Sequence, residues 1–144
     1  MNIKRFVVSL INKHGTNDPY EIADGYDDIY IIKHPLGDTV RGYYQYFRDS
    51  RIIYINASLD TRAQKVVCAH ELGHAFLHTK VNIVFTRSKT FFSCDAYERE
   101  ANLFAVELLL PDNIYREYNG YSYEQIAAAE RLPAELVRIK YENF

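Results

Sequence analysis

The stretch His70-Glu71-Leu72-Gly73-His74 constrains this chain more than any other. In an α-helix, four residues advance a side chain by about 40° around the axis and about 6 Å along it. Two imidazoles at that offset can therefore grip one metal ion from the same face. Glu71 follows His70 by one residue, so it flanks the metal without ligating it and can take a proton from a metal-bound water. The surroundings are those of a helix. Ser58 or Asp60 can cap its start, and Ala63, Val66, Val67, His70, His74 and Leu77 fall on one broad face. Gly73 costs helix propensity, but its missing side chain lets another backbone approach. The whole pattern in helical context predicts a zinc site with one ion per chain. His78 continues the four-residue spacing, yet its ring lies two turns beyond His70. One ion cannot be reached by both, so His78 is expected to pack against the site or support a ligand from outside.

At 144 residues, the chain is expected to form a single compact domain over 1–144 with a sizeable core. A formal charge of −2 offers no basic surface to draw nucleic acid, which argues against direct binding. No run of about 18 apolar residues occurs, so no membrane span is expected. The opening Met1-Asn2-Ile3-Lys4-Arg5-Phe6 lacks the apolar core of a signal peptide. Cys68 and Cys94 make a poor disulfide framework. Cys68 lies about 160° around the helix from His70, which predicts a buried thiol and a reducing, cytoplasmic location.

Around that helix the periodicities predict an α+β fold. Ile3 to His14 reads as an amphipathic helix with Phe6, Val7, Leu10 and Ile11 as its stripe, ended at Gly15. Pro19 suits the start of a short turn through Ala23. Ile29 to Ile32, Gly42 to Phe47 and Arg51 to Asn56 read as strands, the last two as a hairpin across Arg48-Asp49-Ser50. Together they predict a small antiparallel three-stranded sheet. The thirteen tyrosines could form a stacking platform for nucleic acid. Strand propensity explains them as well, and no basic residues interleave them. Val81 to Phe85 reads as a short strand or extended segment, and Arg87 to Thr90 as a polar loop. A second strong helix spans about Asp95 to Leu110, halted by Pro111. Asp112 to Tyr118 predicts a helical turn or two. Ser122 caps a helix to about Glu130, and Ala134 to Lys140 a last one.

With both long helices placed, the chain resembles the ImmA/IrrE metallopeptidases of bacteria and their mobile elements. The match rests on His70-Glu71-Leu72-Gly73-His74, on Glu98-x-x-Ala101-Asn102-x-Phe104-Ala105, and on Leu108-Leu109-Leu110-Pro111. Asp18-Pro19-Tyr20-Glu21-Ile22-Ala23 and Ile53-Tyr54-Ile55-Asn56 add weaker support. The resemblance implies a gluzincin-type core, with the small sheet packed on zincin-like helices and further helices at the C-terminus. His70, His74 and Glu98 would ligate zinc and Glu71 would be the general base. It also implies a protein substrate, since members of the family often cut or inactivate helix-turn-helix repressors.

Helical geometry speaks to the third ligand independently. Glu98 and Glu100 lie about 200° apart around the axis, so only one can face the metal helix. From Glu98 the same face runs through Ala101, Asn102 and Ala105. The alanines allow close packing, and Asn102 can hydrogen-bond a ligand histidine. Glu100 shares its side with Glu107, which reads as a solvated face. Against the ligand role, Asp95-x-x-Glu98 also fits a capping box, in which Glu98 would only stabilise the helix start. Three protein ligands leave a fourth position for water, the chemistry of peptide hydrolysis. Two functional readings follow from different classes. One is a zinc endopeptidase acting on a regulator of a phage or mobile element. The other is a zinc-fold protein that only sequesters such a regulator, and an intact Glu71 argues against it. A DNA-reading helix pair over Tyr123 to Lys140 is a third reading, poorly supported by Arg138 and Lys140 beside Glu135.

Overall fold

The computed structural model describes residues 1–86 and 95–143, with the backbone alone over 83–86. The Arg87–Thr90 loop and Cys94 lie outside the described residues. The elements are α1 (Ile3–His14), α2 (Pro19–Asp24), β1 (Ile29–His34), β2 (Val40–Phe47), β3 (Ser50–Asn56) and α3 (Thr61–Leu77). Then follow β4 (Ile83–Thr86), α4 (Ala96–Leu109), α5 (Ile114–Glu117), α6 (Tyr123–Glu130) and α7 (Ala134–Glu142). The fold is α+β, as the periodicities predict.

The sheet differs from the expectation in two ways. Its strand order is β1-β3-β2-β4, so β4 adds a fourth strand beside β2. And β1 pairs with β3 in parallel, which makes the sheet mixed and not antiparallel throughout. Asn56 supplies the reason. Its side chain accepts from the Leu36 amide at 3.2 Å and donates to the Gly37 and Val40 carbonyls at 2.8 Å each. The β1–β2 connection is thereby carried across the end of β3 instead of turning back as a hairpin. The β2–β3 hairpin is as expected. Arg48 and Asp49 take φ of 50° and 63°, the two left-handed residues a two-residue primed turn needs.

One face of the sheet lies on α3 through Tyr44, Ile53 and Ile55, all 1 % exposed or less. Asp60, not Ser58, caps α3, its side chain accepting from the Ala63 amide at 2.8 Å. Every residue of α3 from Val66 to Ala75 is buried, because β2 and β3 cover one side and α4 the other. A helix buried all round needs small residues where backbones meet. Gly73 is one: a Cβ there would stand 3.2 Å from the Ala101 Cα and the Phe104 Cβ. Gly42 is the other, on β2. A Cβ at Gly42 would lie 2.6 Å from the Tyr54 carbonyl oxygen and 2.7 Å from Val67 Cγ1. Alanine ordinarily improves on glycine inside a strand. Here Gly42→Ala is expected to destabilise the fold by about 1–3 kcal/mol through overpacking, read from the midpoint of urea unfolding. An unchanged or raised midpoint would contradict this packing.

One expectation about surfaces fails. Glu107 is not on a solvated face; it is 7 % exposed and takes a 2.9 Å ion pair from Lys140. Lys140 itself is 1 % exposed, held by Glu107 and by Asp112 at 2.7 Å, so it is no DNA contact. The burial of both residues follows from α7 packing on α4. Arg138 pairs with Glu142 at 3.5 Å. Among the described residues, no helix is long and apolar enough to cross a membrane.

Candidate metal centre

Two helices build the site. His70 and His74 project from α3 one turn apart, and α4 crosses them closely enough at Gly73 and Ala101 to bring Glu98 between their rings. The Glu98 carboxylate meets both imidazoles: Oε1 lies 2.9 Å from His74 Nε2 and Oε2 lies 3.1 Å from His70 Nε2. Its oxygens are thus turned to the histidines, and the cap of α4 falls to Asp95, which accepts from the Tyr97 amide at 2.8 Å. His70, His74 and Glu98 each offer a ligand atom, all within 4.8 Å of one another. Ligand atoms about 3.3 Å apart are what bonds of about 2.0–2.1 Å in a tetrahedron require. The donor set of two nitrogens and one carboxylate oxygen suits a divalent metal.

Charge tells the same story. Glu71 is fully buried, and neither of its carboxylate oxygens has a hydrogen-bond partner among the described residues. Burial, and then the neighbouring Glu98 charge, push its carboxyl well above the usual carboxylate range. Burial raises Glu98 too, but the contacts with the His70 and His74 rings outweigh it and hold that carboxyl below its ordinary value. Burial brings His74 down to about 4 against the pull of Glu98, which keeps its ring neutral and able to ligate. Two buried carboxylates side by side, one without a partner, form an arrangement that a cation would relieve.

The outer partners fall into place around these residues. Asn102 Oδ1 stands 2.8 Å from His70 Nδ1. That oxygen can only accept, so Nδ1 carries the proton and Nε2 is left to face Glu98. His78 is 6 % exposed and meets His74, Nδ1 to Nδ1, at 2.9 Å. Its Nε2 reaches Glu100 Oε1 at 3.0 Å. Glu100 was missed by helical-face reasoning, which put it on the solvent side. That side of α4 does reach solvent there, but His78 comes out to meet it. The signal was present in the sequence as the third histidine at four-residue spacing.

An HExxH helix completed by a glutamate from the next long helix is an arrangement of metallo-endopeptidases, and this fold presents it. Residues 25–141 match the peptidase family described as the IrrE N-terminal-like domain, and the chain belongs to that ImmA/IrrE family. It is 43 % identical over 140 residues to an uncharacterized immunity region protein 2 of Bacillus phage phi105, covering 96 % of this chain and 88 % of that one. It is 41 % identical over 138 residues to metallopeptidase ImmA of Bacillus subtilis, covering 92 % of this chain and 79 % of that protein. The chain is a metallo-endopeptidase of this family.

Proposed function

We propose that this is a zinc endopeptidase, working in the cytoplasm as one domain, that cuts a helix-turn-helix repressor of a phage or mobile element. The observation that carries the chemistry is the convergence of His70, His74 and Glu98 beside the unpartnered Glu71. The phage relative named for an immunity region supports the regulatory setting. A zinc ion held by His70, His74 and Glu98 would supply Lewis acidity toward a peptide carbonyl and would lower the pKa of water toward about 7. Glu71, whose carboxylate oxygens have no partner among the described residues, would take a proton from the attacking water and deliver it to the leaving amine. Asn102 fixes the ring of His70, and β4, at the edge of the sheet, offers backbone groups to an extended substrate.

His78 and Glu100 hold the other ligand ring. Were His74 Nε2 to hold the metal, its Nδ1 would keep the proton and donate it to His78 Nδ1. The remaining proton of His78 then sits on Nε2 and is donated to Glu100. The donors run one way, from ligand to carboxylate. Glu100→Gln, which still accepts but carries no charge, is expected to weaken zinc binding about tenfold, measured by competition with a chelator. An unchanged affinity would remove Glu100 from the metal site.

A purified candidate repressor incubated with the zinc-loaded chain tests the reading as a whole. Cleavage that requires both zinc and Glu71 is expected. Loss of repressor binding to its operator without any cut, persisting in Glu71→Gln, would instead support sequestration.

A further inference from the structure

A cavity of about 190 Å³ opens between β2, the first turns of α3 and the α6–α7 turn. Its position is set by Val67. Val67 and Glu71 lie one helical turn apart on α3, and both face Gly42: a Cβ there would meet Val67 Cγ1 and, at 3.7 Å, Glu71 Cγ. The cavity therefore begins one turn from the general base along the same stripe of the metal helix. Its floor is apolar, with Val67 and Leu132 both buried. Its rim is cationic: among the described residues that line it, Arg41, Arg62 and Arg131 stand against one carboxylate, Asp60.

That carboxylate is engaged in capping α3. Arg62 donates Nη2 to the Glu130 carbonyl at 2.9 Å and Nε to the Arg131 carbonyl at 3.1 Å. These neutral acceptors leave its charge in place while they fix the α6–α7 turn over the cavity. The nearby Glu130 side chain accepts from the Tyr118 hydroxyl at 3.0 Å. Burial pushes the Arg62 guanidinium below its ordinary value, Glu130 opposes that, and Arg131 adds to it. Guanidinium groups gathered at an apolar cleft match a carboxylate carried on a short methylene stem.

We infer that this cavity is a substrate subsite that seats an acidic side chain of the polypeptide close to the bond being cut. The inference rests on the endopeptidase reading, and the cavity's start at Val67, one helical turn from Glu71, favours a peptide side chain over a free anion.

The test is made on zinc-loaded, full-length Glu71→Gln protein, in which turnover is blocked. Methyl resonances of Val66, Val67 and Leu132 are followed while acetyl-glutamate N-methylamide, its glutamine analogue or inorganic phosphate is added. The glutamate probe is expected to saturate these shifts with at least tenfold tighter binding than either of the others. Arg41→Gln combined with Arg131→Asn should abolish that advantage; asparagine tolerates the left-handed backbone at Arg131, where φ is 56°. In parallel, wild-type cleavage of a mixed peptide library should enrich acidic residues at one fixed position near the cut. Equal binding of the glutamate and glutamine probes, equal binding of phosphate, or cleavage without acidic enrichment would each overturn the inference. Absence of any cleavage would count against the peptidase reading alone, since the methyl shifts still decide the subsite.

Discussion

Glu71→Gln is expected to retain about one zinc per chain while peptide cleavage falls about a thousandfold, within the range for loss of a general base. Glutamine has nearly the same shape, so the buried pocket that holds Glu71 at 0 % exposure is refilled and not opened. The atoms proposed to hold the metal belong to His70, His74 and Glu98, none of which is touched. What disappears is a carboxylate with neither oxygen hydrogen-bonded among the described residues, and so able to take a proton at the site. Metal content by elemental analysis and kcat/KM on a verified substrate check the two halves separately. Wild-type cleavage would remove Glu71 from the chemistry. Loss of the metal would make it a ligand.

The second large effect concerns the fold. Lys140→Met is expected to cost about 3–5 kcal/mol, because it strands a buried carboxylate without its cation. Glu107 has 4 % of its side chain exposed and Lys140 1 %, and 2.9 Å separates them. Asp112, with 54 % of its side chain exposed and a second partner in Lys4 at 3.1 Å, can be resolvated when Lys140 is lost. Glu107 cannot. Adding Glu107→Leu to Lys140→Met should therefore recover most of the loss, since a buried pair replaced by apolar side chains is often neutral. Urea unfolding of the two variants measures it. A cost below about 1 kcal/mol for the single variant would show that Glu107 reaches water.

These two cases mark what could be read in the sequence. The metal helix was legible because ligand spacing, the cap and small residues at close contacts are all local patterns. Gly73, Ala101 and Asn102 stand where helical geometry puts them, and Asp60 is one of the two caps the sequence offers. The parallel pairing of β1 was not legible. It depends on Asn56 carrying the chain across the end of β3, a contact between residues about twenty positions apart. Glu107 was misread for a related reason. A charged residue on a helix looks solvated until another helix brings a partner to it, and α7 is supplied 33 residues later. Glu100 lay between these cases. Its face was judged correctly as outward, with 48 % of the side chain exposed, but His78 turns that edge into part of the metal surroundings.

The central claim is that Glu98 completes the metal site begun by His70 and His74. Zinc titration of the wild-type chain, Glu98→Gln and Glu100→Gln, by chelator competition, tests it most directly. One tight site per wild-type chain is expected. Glu98→Gln should weaken it by more than about 100-fold, beyond the 10- to 100-fold usual for an outer partner, and Glu100→Gln by about tenfold. Normal binding by Glu98→Gln, with a large loss in Glu100→Gln, would contradict the account.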